Sequence, residues 1–439
     1  MTVGCLYHFM SEFHAHPFPK QLLIHRLMLW RALVLVCTYM NDVNALLMSL
    51  ALDKEVREDP YPIYGEFRAL GPMVRANEGF AVATNYVSST QVLRRPEFVK
   101  GLERRDHYLA TARPSRRKDF PPSMLFQDPP NHTRLRRSVS QFFLPTKLES
   151  LRERLRQIAL KLFGEIRDSG QCELISSFAL PLPVWVIGDI LGVPSKDRLA
   201  LQPDVSKIAK TLDFNFNEDD AVQKEAEESS ERLITYFEEL IADKVRDPKD
   251  DLLSELVSNS ASLDEPLSNA ESCSMAMLLF AAGFETTGNL IGNATAALCH
   301  SPSEYQNYLD GRVSTKEAVD ELVRFDSPVQ LDGRVVDSEV TLFDVTLPAG
   351  SFVITLLGAA NRDDMIYKDP DLLSLARSGP APLSFGSGVH FCLGSYLAKM
   401  ELGIYLELLR ELKASVSIKK YLRKQSLTLR GFEEMYITI

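Results

Sequence analysis

Apolar residues recur along most of the chain at the three- and four-residue spacing of amphipathic helices. The helices predicted by this spacing cover residues 147–168, 225–246, 250–258 and 393–413. Alternating apolar and polar residues, which indicate strands, occur near residues 73–85, where they fit a hairpin, and over 333–356, with a turn at 348–350. Helices therefore dominate the predicted fold, and strands are few.

Residues 271–298 show a different helical pattern, because they are apolar on nearly every side and so predict a central, buried helix. Glu285 interrupts this pattern near its middle. An unpaired carboxylate buried there would cost several kcal/mol, so Glu285 needs a partner or a function. The structural alternative is a kinked helix in which the hydroxyls of Thr286 and Thr287 bond back to the preceding turn.

The N-terminal segment differs in composition from the rest of the chain. It contains half of the eight histidines and, at residues 21–40, a membrane-like stretch that His25, Arg26 and Arg31 interrupt. From residue 48 onward there is no repeat, low-complexity tract or long linker. We therefore predict an extension at residues 1–47, peripheral or poorly ordered, followed by one large domain at 48–439, without stable membrane insertion.

Charge and cysteine usage narrow the possible functions. The 439 residues include 49 basic and 59 acidic side chains, a formal net charge of −10, with no concentrated basic face, which argues against nucleic-acid binding. The six cysteines show no repeated spacing and no CxxC pair, so neither a disulfide framework nor a zinc ribbon is predicted. This usage is typical of a reducing compartment, and we expect a cytoplasmic protein.

One loop places a cysteine among glycines directly before a predicted helix. Residues 385–394 read Phe-Gly-Ser-Gly-Val-His-Phe-Cys-Leu-Gly, with the cysteine at Cys392. Glycines permit tight turns and a close approach of the backbone to a flat ligand. The amides and the dipole of a helix start lower a thiol pKa and favour the thiolate, which binds metals. The alternative for a lone cysteine is an inert thiol buried in a turn.

The whole loop resembles the haem-binding loop of the cytochrome P450 superfamily, the haem-thiolate monooxygenases. The resemblance extends over residues 48–439, in the order and spacing of soluble bacterial members. It implies a mainly α fold with a small β subdomain, in a single large domain. It also implies a haem b cofactor, iron protoporphyrin IX, with Cys392 as the axial ligand of the iron.

A second family motif lies in the apolar helix. Residues 281–287 read Ala-Ala-Gly-Phe-Glu-Thr-Thr and are similar to the family pattern AGxET, where a helix distortion opens a groove for dioxygen. The resemblance implies that Thr286 steadies the activated oxygen and that Glu285 helps to deliver protons from water. Phe284 stands where many members have histidine, and we expect this change to affect pocket shape more than oxygen chemistry.

Other residues match family elements that surround the haem. Glu321 and Arg324 fit the ExxR element, which implies a structural role in the core on the haem side. The residues that the resemblance assigns to the haem carboxylates are His132, Arg136, Arg334 and His390. The sequence departs from the family at Lys399, where an arginine is usual, and at residues 343–344, where a common glycine is missing.

The segments expected to select the substrate lie on the distal side of the haem. By position in the family, residues 97–126 and 197–224 would wrap over the pocket. The pocket-lining residues that the resemblance assigns are Leu278, Ala282, Val329 and Gln330. Gln330 would orient a polar group of the substrate.

Together these features predict an enzyme that inserts one oxygen atom of dioxygen into a small organic substrate by hydroxylation or epoxidation, in secondary metabolism. No flavin or iron–sulfur module is visible, so we expect a ferredoxin and a ferredoxin reductase as electron donors, with Arg134, Arg137 and Lys399 as candidate docking cations. We expect a monomer. The alternatives are a coupling, peroxide-driven or isomerising enzyme of the same family, and a haem-binding sensor without turnover.

Overall fold

Helices make up most of the described chain. The structure, a computed structural model, describes residues 42–77, 79–101, 120–213, 220–260 and 265–439. Its α-helices are α1 (Asp42–Leu52), α2 (Lys54–Glu58), α3 (Tyr61–Leu70), α4 (Tyr86–Arg94), α5 (Asn131–Ser140), α6 (Pro145–Ser169), α7 (Pro181–Leu191), α8 (Gln202–Ala209), α9 (Asp220–Arg246), α10 (Leu252–Ser260), α11 (Asn269–Cys299), α12 (Pro302–Leu309), α13 (Thr315–Phe325), α14 (Leu357–Ala360) and α15 (Ser395–Glu411). The helices predicted from apolar spacing correspond to α6, α9, α10, α11 and α15.

The strands are short and form two sheets and a hairpin. They are β1 (Met73–Asn77), β2 (Phe80–Ala83), β3 (Phe98–Val99), β4 (Gln171–Glu173), β5 (Leu331–Val336), β6 (Val340–Leu342), β7 (Val345–Leu347), β8 (Phe352–Leu356), β9 (Ser417–Arg423) and β10 (Phe432–Thr438). The larger sheet has the order β1-β2-β8-β5-β3, in which only β2 and β8 pair in parallel. The smaller sheet has the order β4-β10-β9, and β6 pairs with β7. The predicted mainly α fold with a small β component is confirmed.

Helix α11 runs through the main hydrophobic core, and most of its side chains are buried. A capping box fixes its start: Ser268 Oγ accepts from the Glu271 amide, and the Glu271 carboxylate accepts from the Ser268 amide. At Gly283 helix α7 approaches closely, since a Cβ there would lie 2.7 Å from Ile187. This packing fixes the position of the motif at residues 281–287.

Helix α1 lies across the predicted boundary between residues 47 and 48. Helix α1 starts at Asp42, and its Val43 and Leu47 are buried in a core cluster that they share with the larger sheet. Burial of this apolar surface attaches the helix to the domain. The rest of the predicted extension, residues 1–41, lies outside the described residues. Within the described ranges, no helix combines the length and apolar character needed to cross a membrane.

Candidate active site

A cavity of about 440 Å³ is lined by both helix α11 and the cysteine loop. Apolar side chains supply most of its wall, among them Met124, Phe126, Phe143, Ile187, Leu290 and Phe352. The residues from the sequence motifs that line it include His132, Arg136, Ala282, Glu285, Thr286, His390 and Cys392. Motifs from distant parts of the chain therefore share one largely apolar cavity.

The cysteine loop turns sharply at two glycines before Cys392. Gly386 and Gly388 have φ angles of +68° and +72°, in the left-handed region that favours glycine. A Cβ on Gly388 would also clash with the Leu93 carbonyl of α4. The Cys392 amide donates to the Phe385 carbonyl at 2.9 Å, just before α15 begins. Backbone geometry thus fixes Cys392 in the wall of the cavity.

Burial dominates the ionisation of the Cys392 thiol. It raises the thiol pKa, while a hydrogen bond from the Gly394 amide and the charge of Arg136 lower the pKa and offset only part of this effect. The lowering expected from the helix start is therefore outweighed. A metal cation would reverse the balance, because a coordinating thiol is deprotonated.

Two imidazoles and a guanidinium meet in the cavity wall beside the cysteine loop. His132 and Arg136 lie one turn apart on α5, and the His132 ring centroid is 4.3 Å from that of His390. Arg136 Nη2 donates to the Phe391 carbonyl at 2.7 Å. Burial, the neighbouring His390 and the charge of Arg136 lower the pKa of His132 to about 4, so its ring is neutral at neutral pH.

Two ring nitrogens of this cluster are unsatisfied. His132 Nδ1 and His390 Nε2 are buried and have no hydrogen-bond partner among the described residues. His390 Nε2 lies 4.0 Å from Asp128 Oδ1, beyond hydrogen-bond distance. Buried polar atoms are normally paired, so these nitrogens and Arg136 fit the acidic groups of a ligand in the cavity.

Arg334 is engaged by a carboxylate of its own strand. It is 2% exposed in β5, and its Nη1 donates to Asp332 Oδ2 at 2.6 Å, while Asp332 also pairs with Lys100. Burial acts to raise the pKa of Asp332, but the charges of Arg334 and Lys100 outweigh it and hold that pKa well below its ordinary value. Among the described residues, Asp332 and Lys100 line the cavity and Arg334 does not.

Glu285 and Thr286 lie within helix α11, which is assigned as helix throughout the motif. Thr286 Oγ1 donates to the Ala282 carbonyl at 3.0 Å, the back-bond of the structural alternative. Glu285 is 7% exposed and has a partner after all: its Oε1 accepts from Lys424 Nζ, beyond the end of β9. Ser206 Oγ of α8 lies 3.5 Å from the other carboxylate oxygen. The carboxylate is therefore compensated by a cation distant in sequence.

The Glu321–Arg324 pair is buried rather than exposed. Arg324 donates to both Glu321 oxygens at 2.7 and 2.8 Å, and both side chains are 2% exposed. Arg324 also donates to the carbonyls of Asn361 and Pro370, and Arg377 Nε donates to Glu321 at 3.0 Å. This network ties α13 to the segment that follows α14. Removing Glu321 would leave Arg324 buried without a counter-charge, whereas removing Arg324 would leave Glu321 with Arg377 alone.

The predicted pocket residues separate into two groups. Leu278, Ala282 and Val329 line the cavity. Gln330 does not: it is 1% exposed, and its Nε2 donates to the Ser327 carbonyl at 2.7 Å. The two segments expected over the pocket contribute Lys100, Met124, Leu125 and Phe126, and Val205, Ile208, Ala209, Thr211 and Asp213. Residues 102–119 and 214–219 lie outside the described residues.

Sequence reasoning missed Lys100, Asp332 and Lys424. Asp332 had a signal, because it lies two residues before Arg334 and the two-residue period of a strand places both on one face. Lys100 and Lys424 had none, because their partners lie more than a hundred residues away. Of the candidate docking cations, Arg134 pairs with Glu271. Lys399 pairs with Asp320, and Arg137 is exposed.

Comparison with known sequences identifies the family. The sequence model of the family described as "Cytochrome P450" matches residues 314–426. The vitamin D(3) 25-hydroxylase of Pseudonocardia autotrophica is 33% identical over 394 residues, which cover 87% of this chain and 94% of that protein. The biotin biosynthesis cytochrome P450 of Bacillus subtilis (strain 168) is 31% identical over 407 residues, which cover 89% of this chain and 98% of that protein.

Comparison with solved structures gives the same family. The ligand-free crystal structure of Mycobacterium smegmatis CYP164A2 superposes with a TM-score of 0.80 at 33% identity and covers 90% of this chain and all of that one. Sequence identity above 30% over nearly the whole chain accompanies the shared fold. The chain therefore belongs to the cytochrome P450 family and is a haem-thiolate monooxygenase.

Proposed function

We propose that Cys392 is the axial ligand of the haem iron and that the cavity of about 440 Å³ holds the haem and the substrate. The observation that carries this proposal is the shared cavity: the thiol of the glycine loop and the Glu285–Thr286 pair of α11 line the same apolar space. Bringing a soft thiolate ligand and a proton-transfer pair together is what oxygen activation at a haem requires.

The residues of the site fit haem b, iron protoporphyrin IX. Its carboxylates would accept from Arg136, His132 Nδ1 and His390 Nε2, and the two nitrogens have no other described partner. Arg334 would act on these carboxylates indirectly. It pairs with Asp332, which also pairs with Lys100, and of these three residues only Asp332 and Lys100 reach the cavity. The apolar wall would exclude water from the two faces of the macrocycle.

The chemistry divides between the cofactor and the chain. The haem, when bound, supplies the cleavage of dioxygen, with two electrons and two protons consumed, one oxygen atom inserted into the substrate and the other released as water. Glu285 would carry protons into the cavity, because its side chain lies in the cavity wall and is paired with Lys424. Thr286 would pass them on after its hydroxyl turns away from the Ala282 carbonyl.

The lining of the cavity supports a small organic substrate with a large apolar surface, hydroxylated or epoxidised in biosynthesis of secondary metabolites. The relatives named for vitamin D(3) 25-hydroxylation and for biotin biosynthesis support this class of reaction. Leu278, Ala282 and Val329 would contact the substrate. The Gln330 side chain lies outside the cavity and would affect the substrate only indirectly, by stabilising the turn that contains Val329.

Electrons would come from a ferredoxin and its ferredoxin reductase. The protein would be a monomer in the cytoplasm. Of the three candidate docking cations, Arg137 on α5 is supported best, because its side chain is exposed. Arg134 already pairs with Glu271, and Lys399 with Asp320. A neutralised cation attracts an acidic partner less than a free one does, so reversal of Arg137 should slow reduction more than reversal of Lys399.

The optical spectrum of the reduced, carbon-monoxide-bound protein tests the proposal. The thiolate-specific red-shifted band is expected in the native protein and absent in Cys392→Ser. Haem bound without that band in the native protein would contradict thiolate ligation by Cys392. A screen of apolar compounds by the spin-state shift then provides a substrate, with which Glu285→Gln and Thr286→Ala should each lower product per NADH by about tenfold or more.

A further inference from the structure

The carboxylates in the cavity wall differ in how their charge is compensated. Glu285 accepts from Lys424 Nζ, and Asp332 pairs with Lys100. Asp213 lines the same cavity but forms no ion pair with any residue that the structure describes. Asp213 therefore brings an uncompensated negative charge to a largely apolar cavity, as far as the described residues show.

Two backbone amides hold the Asp213 side chain in place. Asp213 lies just beyond α8, and its Oδ1 accepts from the amides of Leu427 and Thr428 at 2.9 and 2.8 Å. Its Oδ2 has no hydrogen-bond partner in the described ranges. Amide donors orient a carboxylate but carry no charge, so the unit charge of Asp213 remains available to a ligand.

Thr428 supplies a second polar group at this place in the wall. It is 8% exposed and lines the cavity, and its Oγ1 has no hydrogen-bond partner among the described residues. The Thr428 carbonyl accepts from the Gln330 amide at 2.9 Å, so the backbone of Thr428 is bonded on both sides. Buried hydroxyls are normally paired. We call Asp213 and Thr428 the polar subsite.

The cavity wall next to the polar subsite is apolar. Its lining residues from α8 and from the segment before β10 include Val205, Ile208, Ala209 and Leu429. Thr211 Oγ1 donates to the Ile208 carbonyl at 2.7 Å, so its hydrogen is already used. A charge in such surroundings attracts a counter-charge more strongly than it does in water. A neutral hydroxyl would satisfy the hydrogen bond but leave the charge of the carboxylate uncompensated.

We propose that the polar subsite binds a protonated amine, and that the substrate is an apolar molecule with an ammonium group. An ammonium group carries a positive charge and several N–H donors, so it donates both to Asp213 Oδ2 and to Thr428 Oγ1. With its nitrogen held at this wall, the substrate presents its apolar body to the haem. This inference rests on the proposed function, which places haem and substrate in this cavity.

Binding to the haem-loaded protein tests the proposal with decylamine and decanol, which share one alkyl chain. Absorbance titration separates the two ways in which decylamine can bind, because nitrogen ligation of the iron shifts the haem band to the red, whereas displacement of water from the iron shifts it to the blue. The native protein should show the blue shift and bind decylamine about tenfold or more tightly than decanol.

Asp213→Asn should weaken decylamine binding by about tenfold or more and leave decanol binding within about twofold of native. Asparagine retains an oxygen for the amides of Leu427 and Thr428, so the cavity wall keeps its shape. Asp204→Asn is the matched control, because Asp204 lies on α8 outside the cavity lining and pairs with Arg232. It should leave decylamine binding within about twofold of native.

The hydroxyl and the N–H donors are tested separately. Thr428→Val, which keeps the shape of the side chain, should weaken decylamine binding by about threefold or more, and Thr428→Ser should restore it. Decyltrimethylammonium keeps the charge but has no N–H donor, so the native protein should bind it less tightly than decylamine.

Three results would overturn the proposal: equal affinities of the native protein for decylamine and decanol, a red shift with decylamine, or an Asp213→Asn effect that Asp204→Asn reproduces. Each of them leaves the proposed function standing if the reduced, carbon-monoxide-bound native protein shows the thiolate band. Absence of that band in the native protein would instead refute the proposed function, and the inference with it.

Discussion

Glu401 is a buried acid on helix α15 that no cation compensates among the described residues. It is 1% exposed, and its Oε2 has no hydrogen-bond partner there. Burial raises the pKa of Glu401 well above its ordinary value. Because the pKa in the folded state exceeds that in the unfolded state, stability is complete below the unfolded pKa and is lost as pH rises above it.

Glu401→Gln should therefore gain stability relative to the native protein as pH rises. The loss in the native protein amounts to about 1.4 kcal/mol per pH unit between the unfolded pKa and the folded one, and glutamine does not titrate. Urea unfolding followed by circular dichroism from about pH 4.5 to pH 7 measures the difference. A difference that stays constant across this range would show that Glu401 titrates alike in both states.

At the scale of elements, the turn between β6 and β7 lacks the glycine that is common at this place in the family. Phe343 and Asp344 have φ angles of 48° and 64°, and Leu342 pairs with Val345, so the hairpin has a two-residue loop. Such loops favour Asn-Gly because both positions need positive φ, which costs most other residues about 1 kcal/mol or more.

Asp344→Gly should therefore be more stable by about 1 kcal/mol. Phe343 is left in place, because it is 40% exposed and the rest of its apolar surface stays buried. The midpoint of urea unfolding measures the gain. Thr346→Gly is the matched control: it places glycine in the adjacent strand, where extended backbone gives it no advantage, and should destabilise by roughly 0.5–1 kcal/mol.

Elements were predictable from sequence where local periodicity alone defines them. The hairpin of β1 and β2 and helix α11 follow from residue spacing, because each pattern needs only neighbouring residues. The partners of buried charges were not predictable in this way. Lys424 pairs with Glu285 across 139 residues, and Arg377 with Glu321 across 56, and no short-range pattern encodes either contact.

At the scale of the whole molecule, sequence motifs predicted the candidate site. The cysteine loop and the Glu285–Thr286 motif were recognisable because backbone and chemical demands fix several adjacent residue types. The cavity that joins them depends on packing among α5, α7, α8, α11 and β8, which the sequence does not reveal locally. Gln330 was assigned to the cavity by its position in the family. In the structure the neighbouring Val329 lines the cavity, whereas the Gln330 side chain does not and donates instead to the Ser327 carbonyl.

The start of the folded domain gives a prediction at the same scale. Composition changes at Met48, but Leu47 is 8% exposed and belongs to the core cluster of the larger sheet, whereas Met48 is 40% exposed. Leu47→Ala should therefore lower the free energy of unfolding by about 2 kcal/mol or more, and Met48→Ala by no more than about 0.5 kcal/mol. Urea unfolding of both variants measures this contrast. Equal effects of the two substitutions would contradict the packing of helix α1 on the larger sheet, because only this packing makes Leu47 differ from Met48.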